Sequence, residues 1–254
     1  MIKDNSPVSL SVGEGLRERL TIAMTIFPNL TQLDLTGPYE VFGRLPDTKV
    51  LLIAESLQPV KSDNGLLLTP DTTFETAPQV DVLFVPGGRG IFDGMQNKNL
   101  ISFLQKRAVN AKYVTSVCTG SLILAAAGLL DGYKATTHWL SLNLLKLFNV
   151  DVVEERVVID RNRITGGGVT AGIDFGLYVV ANLFNEDVAK EVQLMIEYNP
   201  APPFNAGSPK TADEKIVDRV VSSRKEIQQQ RVYLIKKILN SQIQKLNEEE
   251  NRNA

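Results

Sequence analysis

The chain has 254 residues, 43% of them apolar, and carries a formal net charge of −2 with one histidine and one cysteine. Interspersed charges of both signs argue against a general affinity for nucleic acid or anionic membranes, and a single cysteine excludes an intramolecular disulfide. No apolar run approaches the roughly 18 residues needed to cross a bilayer. Residues 1–19 are polar and resemble a flexible leader rather than a signal peptide, so we expect a cytoplasmic protein.

From Leu20 onwards, short apolar runs rich in β-branched residues alternate with longer helical patterns. Strands are predicted at LTIAMTIF, KVLLIAES, VDVLFVP and KYVTSV, with an extended edge piece at GLLLTPDTTF and a hairpin at VVEERVVIDRNRITGGG. Helices are predicted at GPYEVFGRL (with Pro38 in its first turn), NLISFLQKRAVNA, TGSLILAAAGLL, AGIDFGLYVVANLF and EDVAKEVQLMIEY. This alternation predicts an α/β fold with a doubly wound, mostly parallel sheet covered by helices on both faces.

The organisation changes after Tyr198. The proline-rich segment NPAPPFNAGSP predicts an extended loop, and a capping box from Thr211 to Glu214 predicts the start of a long amphipathic helix. Its apolar stripe needs a partner surface, either the parent domain or a second subunit. The stripe consists of Ile216, Val220, Ile227, Leu234 and Ile238. We therefore divide the chain into a leader (1–19), an α/β domain (20–209) and a C-terminal amphipathic helix with a disordered end (210–254).

The only cysteine, Cys118, stands where a predicted strand ends and a predicted helix begins, in YVTSVCTGSLILAAAGLL. Ligands of doubly wound sheets bind beyond the carboxyl ends of the strands. A helix N-terminus also lowers the pKa of a thiol and favours the nucleophilic thiolate. The alternative is a small buried apolar residue, and the pattern alone leaves both interpretations open.

Three other predicted strand ends carry residues suited to chemistry. FVPGGRG is a glycine turn whose free amides suit a developing negative charge, and it lacks the Lys-Ser/Thr pair of a phosphate loop. Asp34, in TQLDLTGPYEV, is placed either to cap a helix or to act as an acid/base. TGGGVTAGID is a third glycine-rich junction, which by itself indicates only a tight turn.

These motifs together resemble one superfamily. FVPGG, SVCTGSLILAAAGLLDG, ATTHW and TGGGVTAGID resemble the DJ-1/PfpI superfamily of class I glutamine-amidotransferase-like proteins. QLDLTGPYEVF, YVTSVCTGSL, TGGGVTAGIDF and EYNPAPPFNAGSP resemble its isonitrile hydratases, collinearly from about Leu20 to Ala212. The resemblance implies a flavodoxin-like α/β sandwich, a homodimer, and addition of water to a small-molecule isonitrile, which gives an N-substituted formamide through a cysteine thioimidate.

The resemblance also implies roles for individual residues. Cys118 is expected to be the nucleophile, Asp34 its acid/base partner, and Thr119 the neighbour that activity requires. The backbone amides of Gly88 and Thr119 are expected to stabilise developing negative charge. No cofactor is expected. No metal site is expected either, because the chain has one Cys, one His and no carboxylate cluster at ligand spacing.

Two departures from the wider superfamily narrow the chemistry. Protease-like members have histidine where this chain has Thr119, and DJ-1-like members have glutamate where it has Asp34, so proteolysis and DJ-1-type glyoxal chemistry are disfavoured. For His138, in ATTHWLSL, core or interface packing is favoured over catalysis.

Three alternatives stay open. The first is a glyoxalase- or amidase-like cysteine enzyme, which would use His138. The second is a regulatory module preceding a helix-turn-helix pair, for which the tail is short and lacks a turn. The third is redox sensing through Cys118 without catalysis.

Overall fold

The structure is a computed structural model and describes residues 19–253, so the predicted leader lies outside the described residues apart from Arg19. The strands are β1 (Leu20–Thr25), β2 (Thr48–Ala54), β3 (Val60–Lys61), β4 (Leu67–Leu68), β5 (Thr72–Thr73), β6 (Val82–Val85), β7 (Tyr113–Val117), β8 (Lys134–Ala135), β9 (Asp151–Val152), β10 (Val157–Asp160) and β11 (Arg163–Gly166). The α-helices are α1 (Gln32–Phe42), α2 (Ile91–Gly94), α3 (Lys98–Ala108), α4 (Gly120–Ala126), α5 (Leu142–Leu145), α6 (Ala171–Leu183), α7 (Glu186–Met195) and α8 (Glu214–Asn253).

Within the described residues, seven strands form the main sheet in the order β10-β11-β7-β6-β1-β2-β5. All neighbouring pairs from β11 to β5 are parallel, and β10 returns antiparallel to β11 as the predicted hairpin. β2 lies beside β1 on one side, and β6, which follows later in the chain, lies beside β1 on the other side, so the strand order reverses at β1. Ligands of such sheets bind at this reversal, beyond the carboxyl ends of the strands. The sheet confirms the predicted doubly wound, mostly parallel α/β fold.

The core lies between the sheet and a helical layer on each face. On one face α1 packs against α6, and an aromatic cluster joins both helices to the sheet. The ring of Phe175 lies 6.4 Å from that of Phe42 and 5.6 Å from that of Phe84 in β6, all three being fully buried. Burying each such ring stabilises the fold by about 1.5–3 kcal/mol. On the other face α4 is buried along its whole length and contacts α8.

Helix α1 begins at Gln32, five residues before the predicted start, so Pro38 lies inside the helix rather than in its first turn. We predicted a start near Pro38 because an interior proline lacks the N–H that bonds the carbonyl four residues earlier. The structure shows that this prediction was wrong. Tertiary packing offsets that cost. A Cβ at Gly172 of α6 would lie 3.0 Å from Cδ of Pro38, so the two helices approach closely at this point.

The ends of two other helices also differ from the prediction. Helix α8 begins at Glu214 and its first turn is capped by Asp213, whose Oδ1 accepts a hydrogen bond from the Lys215 amide at 2.9 Å. Thr211 instead donates its hydroxyl to the Ser208 carbonyl, so the predicted capping box is wrong. Helix α4 ends at Ala126, well before the predicted stop, and a glycine turn follows it.

Helix α8 packs on its own domain through its central part. Leu234 and Ile235 are buried, and the Gln242 side chain donates to the carbonyl of Ala126 at 3.0 Å. Ile216 and Val220, from the first turns of the predicted apolar stripe, are 40% and 38% exposed. The helix continues to Asn253, where the sequence predicted a disordered end. Among the described helices, even this one of 40 residues lacks the apolar stretch needed to cross a lipid bilayer.

Candidate active site

The predicted site residues meet at the carboxyl ends of the central parallel strands. Asp34 lies in α1 after β1, Gly88 follows β6, and Cys118 and Thr119 follow β7. Gly87 occupies the space between them: a Cβ there would lie 2.5 Å from the Thr119 amide nitrogen and 2.9 Å from Asp34 Oδ2. Only glycine fits between these groups, so the close approach of the acid to the cysteine loop depends on it.

Cys118 occupies a sharp turn between β7 and α4. Its φ of 55° lies in the left-handed region, which is strained for a residue with a side chain. The amide of Cys118 donates to the carbonyls of Gly166 at 3.1 Å and Gly167 at 2.7 Å, and its carbonyl accepts from the Thr137 hydroxyl at 3.0 Å. These bonds hold the backbone in place. The turn therefore has the form of a nucleophile elbow, with sulfur in place of oxygen.

Asp34 is fully buried beside the thiol. Burial raises the pKa of Asp34 from 3.8 to about 7. Hydrogen bonds from the Cys118 side chain and the Gly87 amide lower this pKa, but by less than burial raises it. The Gly87 N–H donates to Oδ2 at 3.1 Å. Within residues 19–253, no nitrogen or oxygen donor bonds to Oδ1. A carboxyl group with this pKa exchanges a proton readily near neutral pH.

The thiol of Cys118 is itself only 5% exposed. Burial raises its pKa well above the usual range, and the negative charge of Asp34 raises it further, whereas hydrogen bonds from the amide and hydroxyl of Thr119 lower it in part. The expected lowering by the helix N-terminus is therefore wrong, because desolvation outweighs what the short helix α4 contributes. The thiol is therefore neutral near pH 7, and the carboxyl group that interacts with it is Asp34.

Thr119 and Gly88 form one hydrogen-bonded unit. The Gly88 amide donates to the Thr119 hydroxyl oxygen at 3.1 Å. Gly88 has a φ of 130°, and a Cβ there would lie 2.4 Å from the Thr31 amide, so the position requires glycine. The Gly88 amide is thus engaged with Thr119 rather than free to stabilise charge as we expected. The Thr119 hydroxyl donates in turn to the Gly88 carbonyl at 3.4 Å, and the amide and hydroxyl of Thr119 lower the pKa of the neighbouring Cys118 thiol.

His138 is half-buried and lines the same pocket as Cys118, so it does not lie in the core, which was one of the two predicted placements. Burial lowers the pKa of His138 to about 4, with a further contribution from the positive charges of Arg231 and Arg224. Its Nδ1 accepts a hydrogen bond from the Leu140 amide at 3.3 Å, and its ring stacks on Trp139. The imidazole is neutral at pH 7 and a weak base.

The pocket over Cys118 has a volume of about 270 Å³, and one wall comes from α8. That wall consists of Arg224, Ile227, Gln228 and Arg231. The position of α8 at the site was not predicted, although the sequence carries a signal for it. Arg224 and Arg231 stand four residues after Val220 and Ile227, so both charges fall on the apolar stripe of the helix.

The site offers no set of metal ligands in the part of the chain that the structure describes. No group of three or more His, Cys, Asp or Glu side chains is close enough together to hold an ion there. The chemistry that the residues themselves support is nucleophilic addition by the Cys118 sulfur, with a proton exchanged through Asp34.

Comparison with known proteins places the chain among relatives. The DJ-1/PfpI family matches residues 20–182. Isonitrile hydratase of Pseudomonas putida is 52% identical over 199 residues, which cover 78% of this chain and 87% of the relative. The crystal structure of a ThiJ/PfpI family protein from Pseudomonas syringae is 44% identical with a TM-score of 0.84, covering 90% of this chain and 98% of that chain. The HTH-type transcriptional regulator GbdR of Pseudomonas aeruginosa is 36% identical over 141 residues, and the match covers 38% of its length. The wall formed by α8 lies beyond the residues that the family matches.

Proposed function

The chain belongs to the DJ-1/PfpI family, and from this premise we propose that it is an isonitrile hydratase, a hydro-lyase that converts an isonitrile and water into an N-substituted formamide. The observation that carries the proposal is the buried pair of Asp34 and Cys118, in which the acid has a pKa of about 7 beside a neutral thiol. Hydration of an isonitrile needs a nucleophile and a proton at the same carbon, and this pair holds both.

The first step forms a thioimidate on Cys118. Ionised Asp34 takes the thiol proton, and the sulfur attacks the terminal carbon of R–N≡C. Asp34 then returns the proton to the same carbon, so the S–H bond breaks while C–S and C–H bonds form, giving R–N=CH–S–Cys118. The amide and hydroxyl of Thr119 stabilise the transient charge on sulfur. A pKa near 7 suits Asp34 to both proton transfers.

The second step hydrolyses this intermediate. Asp34, again ionised, takes a proton from water as the water oxygen attacks the thioimidate carbon. Asp34 then passes this proton to the nitrogen, which gives R–NH–CH(OH)–S–Cys118. The tetrahedral intermediate collapses to a C=O bond with loss of the sulfur, which regains its proton. The product is R–NH–CHO, and the net reaction consumes one isonitrile and one water.

Two of the open alternatives receive less support than hydration. A Cys–His enzyme needs His138 as a base, but the pKa of this imidazole is lowered to about 4. A regulatory role through a helix-turn-helix pair is not supported by α8, which runs without a turn from Glu214 to Asn253.

We further propose that the protein works as a cytoplasmic homodimer. Large exposed apolar side chains on α6 and α7 support an interface there, since Tyr178 is 52% exposed and Leu194 is 82% exposed. A single thiol suits a reducing compartment. Light scattering at micromolar concentration should give twice the chain mass of 28.0 kDa, and a monomer would contradict the dimer.

Incubation with one aryl and one alkyl isonitrile in heavy-oxygen water tests the proposed reaction. We expect a formamide that carries the heavy oxygen, detected by mass spectrometry, and a transient adduct on the intact protein that equals the mass of the isonitrile. The matched Cys118→Ala variant should give neither product nor adduct. Formamide production by wild type without dependence on Cys118 would contradict the mechanism.

A further inference from the structure

Arg231 is buried, and no carboxylate counter-ion pairs with it among the side chains that the structure describes. It is 8% exposed, and among the described residues no hydrogen-bond partner reaches its Nε. Its Nη1 lies 3.4 Å from the Ser141 hydroxyl, and its guanidinium stands 5.5 Å from the centre of the Phe92 ring. The nearest polar partners of its guanidinium in the described part of the chain are therefore neutral. Burying a guanidinium in this way is costly unless an anion joins it.

This cation lines the pocket that contains Cys118, and two more arginines line it as well. Arg224 precedes Arg231 by seven residues on the same side of α8, about 10 Å along the helix axis. Arg89 follows the glycine turn after β6. The one carboxylate among the residues that line this pocket is Asp63, which accepts a hydrogen bond from the Thr31 hydroxyl at 2.7 Å. Of the residues that line the pocket, three carry a positive charge and one a negative charge, and positive charges remain in excess when Asp34 beside Cys118 is ionised, so the pocket attracts anions.

We propose that this pocket selects isonitriles whose substituent carries an anionic group, in the simplest case a carboxylate. Arg231 and Arg224 bind the anion, and the isonitrile carbon meets the sulfur of Cys118 at the other end of the molecule. A carboxylate fits the planar fork of a guanidinium and supplies the counter-ion that buried Arg231 lacks. This inference rests on the proposed function and adds the substrate class, with α8 as the element that recognises it.

A pair of substrates that differ in charge tests the inference. Values of kcat/KM are measured for para-isocyanobenzoate and for the neutral para-isocyanobenzamide, which is of similar size. The ratio of the first value to the second should exceed about tenfold in wild type, because a charged hydrogen bond in a partly buried site is strong. Raising the salt concentration should lower the ratio, because salt screens the charges.

Three variants then assign the preference to the arginines. Arg231→Gln and Arg224→Gln should each lower the ratio about tenfold or more. Arg224 is exposed, so its replacement keeps the test valid even where Arg231→Gln fails to fold. The matched control is Lys225→Gln, which removes the same charge from the neighbouring position on α8 but does not line the pocket. This control should leave the ratio as in wild type.

The outcomes separate this inference from the function on which it rests. Hydration of the amide with a ratio of one or below overturns the inference and leaves the hydratase in place. An equal loss of activity on both substrates in the arginine variants also overturns it, because the arginines would then act on Cys118 rather than on the substrate. Hydration of the plain aryl or alkyl isonitrile but of neither of these two compounds overturns the inference alone. Hydration of none of the four compounds overturns the proposed function, and this inference with it.

Discussion

Replacing Asp34 with asparagine removes a titratable proton from the centre of the site and keeps the size of the side chain. The oxygen of the new amide can still accept the hydrogen bond that Gly87 donates to Oδ2 in the wild type. The variant therefore separates the acid/base role of Asp34 from its role in packing. We expect turnover to fall by at least about 10²-fold, which is typical for a lost acid/base group.

The same change should alter stability in a direction that depends on pH. The pKa of Asp34 is about 7 in the folded protein and 3.8 as the reference value, so the folded state holds a proton that the unfolded chain has released. Asp34 thus contributes stability that is present below pH 4 and is lost as pH rises through 7. Between about pH 5 and about pH 8 the linkage relation gives a loss of about 2–3 kcal/mol for wild type, which the asparagine variant does not share.

A constant cost accompanies this effect. The asparagine amide occupies the place of Oδ1, which has no nitrogen or oxygen partner among the described residues, and a buried unpaired amide costs about 1–3 kcal/mol. That cost is independent of pH. The useful quantity is therefore the difference between the unfolding free energies of variant and wild type, followed from one pH value to the other. Titrating groups that do not interact with Asp34 cancel in this quantity.

Urea unfolding of both proteins at one fixed concentration, at about pH 5 and about pH 8, measures this quantity. From about pH 5 to about pH 8, we expect the unfolding free energy of the variant to rise by about 2–3 kcal/mol relative to that of wild type. A difference that is the same at both pH values would refute the raised pKa of Asp34. Turnover within about tenfold of wild type would refute its role in proton transfer, whatever the stability measurement shows.

Four further predictions concern other parts of the site. Cys118→Ala should unfold cooperatively but produce no formamide, and Cys118→Ser should be nearly as inactive because nothing beside it activates a hydroxyl. Thr119→Val should lower turnover, and it should lower the free energy of urea unfolding by about 1–3 kcal/mol because it leaves the buried Gly88 amide unpaired. Thr119→Ser keeps the hydroxyl, so it should retain most of the turnover and most of the stability. His138→Asn should keep turnover within about tenfold at pH 7, since an imidazole with a pKa of about 4 is already neutral there; a larger loss in a folded variant would favour a Cys–His enzyme. Removing α8 should lower Tm and increase binding of an apolar dye, because it uncovers the surface on which Leu234 and Ile235 are buried; an unchanged Tm would show that this packing contributes little.

The α/β fold and the location of the site could be predicted because their signals are local. Runs such as VDVLFVP and KYVTSV are rich in β-branched and aromatic residues, which favour buried strands, and they became β6 and β7. Parallel strands place their carboxyl ends at one edge of the sheet, so residues that follow different strands must meet there. This rule alone brings Asp34, Gly88 and Cys118 together, although they are far apart in the chain.

Tertiary structure decided what these residues do electrostatically. The helix N-terminus after Cys118 predicts a lowered pKa of the thiol. In the structure the thiol is buried beside Asp34, and this burial raises its pKa. The Gly88 amide was expected to be a free donor, and its partner turned out to be the Thr119 hydroxyl. Desolvation and hydrogen-bond pairing depend on all the surrounding atoms, and no short stretch of sequence specifies them.

The wall that α8 contributes depends on contacts that are distant in the chain. The sequence determined that residues after Asp213 form an amphipathic helix, and it placed Arg224 and Arg231 on the apolar stripe. Which surface that stripe covers was decided only by packing, as when Gln228 donates to the Leu140 carbonyl 88 residues away. Helical periodicity is a property of neighbouring residues, whereas docking against α4 and α5 depends on how the whole sheet has folded.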